Sequence, residues 1–320
     1  FNNLVGLPLT LLNLSLNHQQ AVVELGMNAP GEIRRLADIA RPDIGVITNI
    51  GPAHLEGLGS MENILAAKAD LLEKLTPGGT AVLNADDPRL LQLSKEMDRH
   101  CLLFGAAAAS AKTAGIRARN IVPTESGVAF TLELPAETAT VALAAPGVFM
   151  VSNALAAAAV GYLAGLTSQE IAEGLSAFRP VQGRMNILRT SGGIALIDDT
   201  YNANPGSMTA ALATLKRLKG KARGFFVAGD MYELGAFAES LHRELGKTAA
   251  ASDLSGIFAT GRLAPEVIAG ALEEGMDPAF AFSGSHDEIC DKLNNILKPG
   301  DWVLVKGSRA MKMECIAQVL

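Results

Sequence analysis

Short apolar runs typical of buried β-strands alternate with helical patterns along most of this 320-residue sequence. The first three strand–helix pairs fall at 21–24 with 32–40, 45–48 with 61–75, and 81–83 with 88–99. Strands that alternate with helices of this length are typical of βαβ units, in which the strands form a parallel sheet. The sequence therefore predicts an α/β fold.

The pattern changes in the middle of the chain. Residues 116–143 contain β-rich segments interrupted by Pro123, Gly127 and Pro135. Strands separated by such short turn signals are typical of hairpins, so we predict a small antiparallel insertion. Two alanine-rich helices follow, and they run to about Phe178.

The periodicity breaks at residues 179–183, and we place a domain boundary there. Further strand-like runs, separated by helices, lie at 194–198, 224–228, 256–259 and 302–305. The chain is long enough to form two cores. We predict a central α/β domain with a parallel sheet over 1–180 and a Rossmann-like α/β domain over 181–320.

Composition excludes several classes of function. The net charge is −6 without a basic patch, which argues against nucleic acid as a partner. No apolar stretch reaches the roughly 18 residues of a membrane span. Cys101, Cys290 and Cys315 have neither paired nor metal-like spacing, which favours a reduced, cytoplasmic setting. We expect a monomer that acts on small molecules.

A strongly polar run, DDTYNANPGSM, occupies residues 198–208 between an apolar strand-like stretch and an alanine-rich helical pattern. Asp, Asn, Pro, Gly and Ser are ordinary turn residues, so a turn followed by a helix cap is one interpretation. Two carboxylates, a phenol, two amides and two hydroxyls are more than a turn needs. Ligands bind at the carboxyl ends of strands in open α/β folds, and helix N-termini favour anions. The polar run therefore predicts a ligand site.

This run resembles the D-D-S/T-Y-N-A-N-P-x-S-M signature of the MurF ligases, a group within the Mur ligase family of peptidoglycan synthesis. Further blocks agree in the family's order: FNN at 1–3, GLPLT at 6–10, ELG at 24–26, AHLEG at 53–57, NALA at 153–156, GDM and ELG at 229–235, and VKGSR at 305–309. Each block alone is a weak signal. Together they are collinear and extend over essentially the whole chain.

The resemblance implies an ATP-dependent amide ligase that adds D-alanyl-D-alanine to UDP-N-acetylmuramoyl-tripeptide through an acyl phosphate. Such a step needs cations, Mg²⁺ among them, to neutralise phosphate charge. By resemblance, Glu24, His54 and Lys68 are the catalytic and metal-site residues, and Lys68 is carbamylated so that it supplies an anionic oxygen. A surface salt bridge, a helix cap and a solvated lysine are the respective structural alternatives.

The resemblance also implies binding residues. Those for the nucleotide are Asn153, Arg184, Asp199, Tyr201, Asn202 and Asn204; those for the substrates are Asn2, Asn3, Lys306 and Ser308. Asn153, expected at the start of a helix, would contact adenine, with an N-cap role as the alternative. Arg184 would reach a phosphate or form a salt bridge, and Asp199 would bind ribose hydroxyls. Lys306 would lie near a carboxylate or be a charge at the sheet edge.

A Mur ligase also needs a GxxxxGK[ST] phosphate-binding loop. The Gly-Lys-Thr triplet at 246–248 has Leu241 in place of the first glycine and lies in a helical pattern, so we do not interpret it as that loop. In the family, the loop and a uridine-binding domain precede the FNN block, and we expect this chain to be an incomplete ligase that is inactive alone. Another Mur or folylpolyglutamate-type ligase, or a non-catalytic nucleotide- or peptide-binding module, stays open as an alternative.

Overall fold

A computed structural model describes residues 2–124 and 126–320, which form two compact units. The first unit comprises the chain up to Arg119 with Thr131–Thr140 and Val151–Glu173; the second comprises Asn120–Phe130, Val141–Met150 and Gly174–Leu320. Phe1, the first residue of the FNN block, lies outside the described residues. The division of the chain at residues 180 and 181 stays a prediction.

The elements before residue 180 alternate as the sequence predicts. In chain order they are α1 (Gly6–Leu11), α2 (Glu32–Ala40), β1 (Ile44–Ile47), α3 (Leu55–Leu58), α4 (Met61–Glu73), β2 (Thr80–Asn84), α5 (Pro88–Glu96), β3 (Cys101–Gly105), a 3₁₀ turn (Ala108–Ser110), β4 (Ile116–Pro123), β5 (Val128–Glu133), β6 (Thr138–Leu143), α6 (Phe149–Leu163) and α7 (Ser168–Ala177).

The remaining elements continue the alternation. They are β7 (Asn186–Arg189), β8 (Ala195–Asp199), α8 (Pro205–Lys219), β9 (Gly224–Gly229), a 3₁₀ turn (Gly235–Phe237), α9 (Ala238–Ala250), β10 (Gly256–Thr260), α10 (Ala264–Glu273), a 3₁₀ turn (Pro278–Phe280), β11 (Ala281–Ser283), α11 (His286–Ile296), β12 (Trp302–Lys306), a 3₁₀ turn (Arg309–Met311) and α12 (Glu314–Val319).

The first sheet has the strand order β1-β2-β3-β4-β5-β6. Its pairs from β1 to β4 are parallel. Residues 124–127 and 134–137 connect β4 to β5 and β5 to β6, and connections this short can join only antiparallel strands. The predicted parallel sheet with a small antiparallel insertion is therefore confirmed.

The predicted strand at 21–24 is wrong. Residues 20–27 form neither helix nor strand, and Val22 is 92% exposed. The apolar side chains favour a strand, but a strand also needs a neighbour to pair its backbone groups. Among the described residues, no strand pairs with this segment. The segment is instead tied at Gly26, whose N–H donates to the carbonyl oxygen of Asn2 at 2.7 Å.

The second sheet has the order β11-β10-β9-β12-β8-β7 and is parallel except for the β7–β8 pair. Alternate residues of β9 enter two cores: Phe226 and Ala228 pack with α8, α9 and α10, while Phe225 and Val227 pack with α11 and α12. Both faces are thus covered, as is usual for parallel sheets. The parallel strands place the carboxyl ends of β8, β9, β10 and β12 along one edge.

Two helices bear on the remaining predictions. Helix α6 begins at Phe149, so Asn153 lies within the helix at an exposed position, and its predicted place at the helix start is wrong. The chain turns into α6 at Gly147, whose φ of 104° suits glycine, and the helix can therefore start earlier than predicted. Residues 246–248 lie inside α9, as predicted. In the described ranges no helix is both long and apolar enough to cross a membrane.

Candidate active site

In the first unit, polar groups gather where β1 and β2 end. The Lys68 ammonium, on α4, donates to the carbonyl oxygen of Asn49 at 2.9 Å. Asp87 caps α5 and accepts the N–H of Ile50 at 2.7 Å. Burial lowers the pKa of Lys68, and the charge of Asp87 acts in the opposite direction. Lys68 is therefore held at the carboxyl edge of this sheet by its hydrogen bond to Asn49.

A second group forms around Glu24. Its Oε1 accepts a hydrogen bond from Asn2 Nδ2 at 2.9 Å, so a predicted metal ligand contacts a predicted substrate residue. His54 adopts a left-handed backbone conformation, φ 60°, immediately before α3. The backbone N–H groups of Asn28 and Ala29 hold the pKa of Glu32 below its usual value, and His54 adds to this effect. His54 is thus near the loop that follows Glu24.

Gly57, on α3, accounts for this proximity. A Cβ at Gly57 would lie 1.7 Å from the carbonyl oxygen of Asn28, so the helix and the loop approach as closely as their backbones allow. Only glycine permits this approach. The segments that carry His54 and Glu24 therefore pack directly against each other.

The donor types on these two segments are ones that an open magnesium site can use. Glu24 offers an exposed carboxylate, and His54 lies on the adjacent segment. Within residues 2–124 and 126–320 there is no group of three or more His, Cys, Asp or Glu side chains that could hold a metal ion. Mg²⁺ is usually held by one or two carboxylates together with water and substrate phosphates, so a closed protein cage is not required.

Two other predicted residues of the first unit have different surroundings. The side-chain oxygen of Asn3 accepts the N–H groups of Val5 and Gly6 at 3.1 and 2.8 Å, so Asn3 shapes the turn into α1. Asn153 is exposed on α6.

The sequence analysis missed the polar residues that follow β2. Asn84 donates to the carbonyl oxygen of Thr48 at 2.9 Å, and Asp86 accepts the N–H of Ala106 at 2.7 Å. Together with Asp87 they tie the ends of three neighbouring strands. The signal was available: an amide and two carboxylates stand between an apolar strand and a helix that starts with proline, the same arrangement as in the polar run.

In the second unit, the polar run lies at the carboxyl end of β8. Asp198 accepts the hydroxyl of Thr200 at 2.6 Å. Asp199 accepts the N–H of Met185 at 3.1 Å through Oδ1, and its Oδ2 lies 2.5 Å from the Lys306 ammonium. Both carboxylates are buried. Asp198 stabilises the turn within the run, whereas Asp199 ties the run to the residue before β7 and to the end of β12.

Lys306 is a buried partner rather than a charge at the sheet edge. It ends β12 directly opposite Asp199 in the β8–β12 register, and it is 2% exposed. Its ammonium also donates to the carbonyl oxygen of Asn202 at 2.8 Å. Burial lowers the pKa of Lys306; Asp199 opposes this shift, and Arg184 adds to it. Lys306 thus lies beside a carboxylate of the chain itself, and its role toward a substrate stays a prediction.

The exposed side of the polar run carries the groups that could meet a ligand. The Arg184 guanidinium lies 4.3 Å from the centre of the Tyr201 ring, which is 43% exposed. Asn202 is also exposed. Asn204 forms a capping box with Ser207 at the start of α8, so the interpretation as a turn and cap holds for this residue. A stacked cation and an amide therefore stand beside a helix N-terminus.

The loops after β9 and β12 are joined at Ser308. Its N–H donates to the carbonyl oxygen of Asp230 at 3.0 Å, and its hydroxyl oxygen accepts the N–H of Tyr232 at 2.9 Å. Ser308 is 3% exposed. The predicted substrate residue therefore holds the loop that presents Tyr232, whose ring is half-exposed.

Parallel α/β sheets with polar groups at their carboxyl edges define the general class of α/β ligand-binding enzymes. Two family models narrow this class: the Mur ligase middle domain matches residues 1–161, and the Mur ligase, glutamate ligase domain matches residues 183–309. The chain belongs to the Mur ligase family, whose members are ATP-dependent ligases.

The similar relatives are UDP-N-acetylmuramoyl-tripeptide–D-alanyl-D-alanine ligases. The enzyme of Bacillus subtilis is 33% identical over 326 residues, covering 100% of this chain and 68% of its own length. That of Escherichia coli is 34% identical over 322 residues, covering 100% and 69%.

Solved structures agree with the sequence relatives. A crystal structure of MurF from Acinetobacter baumannii has a TM-score of 0.90 at 31% identity, covering 99% of this chain and 68% of the other. MurF ligase from Thermotoga maritima in complex with ADP has a TM-score of 0.81 at 28% identity, covering 98% and 70%. The fold of this chain is therefore that of the MurF ligases.

Proposed function

We propose that this protein uses ATP to join D-alanyl-D-alanine to UDP-N-acetylmuramoyl-tripeptide in peptidoglycan synthesis. The observation that carries the proposal is the match along the whole chain to ligases of that activity. The geometry supports it, because each unit has polar groups at the carboxyl edge of a sheet, where α/β enzymes bind ligands. In this reaction the tripeptide carboxylate takes the γ-phosphoryl group of ATP and ADP leaves. The dipeptide amine then attacks the acyl carbon, displaces phosphate and loses a proton as the amide bond forms.

In the first unit, Glu24 and His54 would hold Mg²⁺, which neutralises charge on the phosphate oxygens when bound. Lys68 would act as a carbamate, formed when its neutral amine bonds to the carbon of CO₂ and loses a proton. The lowered pKa of Lys68 favours the neutral amine. The carbonyl oxygen of Asn49 keeps the Lys68 side chain at the edge where this oxygen donor is needed.

In the second unit, Arg184 would bind a nucleotide phosphate. Its exposed guanidinium is oriented by Tyr201, and its planar fork suits phosphate oxygens. Asp199 would meet ribose hydroxyls. Its Oδ1 accepts from Met185 and its Oδ2 from Lys306, and each carboxylate oxygen can accept a further hydrogen bond. Asn202 and Asn204 flank this site at the start of α8.

The remaining assignments concern the substrates. Asn153 would contact adenine from its exposed position on α6. Asn2 and Asn3 would bind the muramoyl-peptide, and Ser308 would shape the dipeptide site through Tyr232. Lys306 would contribute by fixing the polar run through Asp199.

The partners in this proposal are small molecules. We infer a cytoplasmic protein that does not bind nucleic acid, because the three cysteines are free thiols and the net charge is −6. We also propose that it is a monomer. Sedimentation at micromolar concentration tests the monomer directly, since a dimer would sediment at twice the mass.

The activity is tested with the full-length protein that carries this sequence. Phosphate release and product mass are measured with ATP, Mg²⁺ and UDP-N-acetylmuramoyl-tripeptide, with D-alanyl-D-alanine or a single amino acid as acceptor. We expect phosphate release and the matching product with D-alanyl-D-alanine only. Ligation of a different acceptor would indicate another amide ligase, and binding without phosphate release would indicate a binding module; either result contradicts the proposal.

A further inference from the structure

His242 is a fully buried histidine beside the loops of the second unit, and the proposed chemistry does not use it. It lies on α9 and is 0% exposed. Its Nδ1 is 2.7 Å from the carbonyl oxygen of Ala238, and its Nε2 accepts the backbone N–H of Met231 at 2.9 Å. Met231 comes just after the carboxyl end of β9. The imidazole therefore joins a helix of the sheet's outer layer to a loop at the site edge.

These two contacts fix the chemical form of the ring. A carbonyl oxygen can only accept, so Nδ1 must carry the proton. A backbone N–H can only donate, so Nε2 must present its lone pair. His242 is therefore the neutral Nδ1–H tautomer. A protonated ring would set an Nε2–H against the Met231 N–H, and that hydrogen bond would be lost.

The groups that face His242 come from three elements besides its own. Asp230 Oδ1, after β9, lies 3.9 Å from Nε2, Arg262 follows β10, and Glu266 is on α10. Burial lowers the pKa of His242; the Ala238 carbonyl, Asp230 and Glu266 oppose this shift, and Arg262 adds to it. Burial is the largest effect, so the ring is neutral at neutral pH.

The loop fixed by Met231 is joined to two other loops at the same edge. The Asp230 carboxylate accepts the N–H groups of Arg262 and Leu263 at 2.9 and 3.1 Å. A Cβ at Gly261 would lie 2.5 Å from this carboxylate, so the loop after β10 is packed directly against it. The backbone groups of Asp230 and Tyr232 also form hydrogen bonds with Ser308, in the loop after β12. The position of Met231 therefore sets the positions of three loops.

We propose that His242 is a positioning residue for the dipeptide site. Its Nε2 lone pair holds the Met231 amide, and this hydrogen bond fixes the loop of Asp230 and Tyr232, whose backbone groups bond to Ser308. The inference rests on the proposed function, since the loop is taken to bind the amine substrate. His242 touches no substrate itself. Its effect on the reaction passes through the backbone of residues 230–232.

Two near-isosteric variants separate positioning from packing. In His242→Gln, the side-chain oxygen can reach the place of Nε2 and accept from Met231. In His242→Asn, the shorter amide can replace Nδ1 toward Ala238 but leaves the Met231 N–H without its acceptor. We expect His242→Asn to raise KM for D-alanyl-D-alanine about tenfold, the effect of one lost hydrogen bond. The KM for ATP should stay unchanged, and His242→Gln should remain within about twofold of wild type.

The kinetic comparison has clear contrary outcomes. Equal effects of the Gln and Asn variants would assign His242 to packing, and an equal rise in KM for ATP would assign it to general stability; both overturn the proposal. If wild-type enzyme ligates another amine instead, the proposed function fails. The same variants are then compared with that amine, so the two failures remain distinguishable.

A measurement on the wild-type protein covers the case in which His242→Asn does not fold. Long-range ¹H–¹⁵N NMR correlations of the imidazole report the tautomer, and hydrogen exchange reports protection of the Met231 amide. We expect the Nδ1–H tautomer and a strongly protected amide. An Nε2–H tautomer or a rapidly exchanging Met231 amide would overturn the proposal.

Discussion

At the scale of single residues, Lys306 shows how a predicted ligand residue can serve the fold. Its ammonium is buried between Asp199 and the carbonyl oxygen of Asn202. A buried charge is costly unless it is paired, and removing one partner leaves the other uncompensated. The polar run is therefore held in place by an ion pair. Loss of this pair should act first on the free energy of unfolding, and on ligand binding only through the displaced run.

A double-mutant cycle tests this ion pair. Lys306→Met and Asp199→Asn should each lower the free energy of unfolding by about 3 kcal/mol, because each leaves one buried group without its partner. The double variant should lose much less than the sum. Urea unfolding measures all three. The more exposed pair Lys74–Asp38, at 2.7 Å, is the control, with a coupling expected to be below about 1 kcal/mol. Additive losses at Lys306 and Asp199 would show that the pair is not coupled.

Lys68 carries a different prediction, because its proposed role depends on carbamylation. Lys68→Ala should lower turnover about 100-fold or more, since an anionic oxygen beside the phosphate site is lost. Small carboxylic acids such as acetate should restore part of the activity by supplying such an oxygen. Lys74→Ala, at the end of the same helix, should leave activity unchanged. Full activity in Lys68→Ala would contradict the carbamate.

At the scale of elements, close backbone approach places the segments of the first site. Helix α3 is short, and Gly57 lets it approach the loop after Glu24 at backbone distance. The loop itself is held by Asn2 through Gly26. These elements therefore define the distance between the proposed metal ligands through backbone contacts.

Gly57→Ala tests this arrangement. The added methyl group would overlap the carbonyl oxygen of Asn28, so α3 or the loop must move. The free energy of unfolding should therefore fall by about 1–3 kcal/mol. Activity should fall as well, because His54 and Glu24 shift relative to each other. Gly51→Ala is the control: its nearest neighbour is Asn49 Oδ1 at 3.9 Å, and stability should change by less than about 0.5 kcal/mol. Chemical denaturation measures both, and equal stability of the two variants would count against the placement by Gly57.

At the scale of the whole molecule, the sequence predicts the fold class better than it predicts which strands pair with each other. Buried parallel strands such as β9 and β12 are apolar throughout and are easily recognised. The run at 21–24 has the same signature but lacks a partner strand, which composition cannot reveal. Strands β7 and β11 are short edge strands with partly exposed residues, so no apolar run marks them.

The same limit applies to the site. Strand-end position identifies Asp199 and Lys306 separately, because polar residues after apolar strands are visible in the sequence. Their contact depends on the β8–β12 register, which is set by packing across more than a hundred residues of chain. The sequence does not identify His242 as a functional residue, because a single histidine in a helical pattern has no distinguishing motif. Its role becomes visible only from its contact with the Met231 amide in the folded structure.

The predicted boundary between residues 180 and 181 leads to a test of the molecule as a whole. The second sheet and the two cores on its faces are formed by residues from Met185 onward. A fragment of residues 181–320 should therefore fold alone, with a cooperative thermal transition and dispersed amide resonances. A fragment of residues 191–320 is the control: it lacks β7 and Met185, whose N–H bonds to Asp199. The midpoint of its thermal transition should be about 10 °C below that of the 181–320 fragment, because a core side chain and a buried hydrogen bond are lost. If the 181–320 fragment binds hydrophobic dyes and unfolds without a transition, the boundary is wrong.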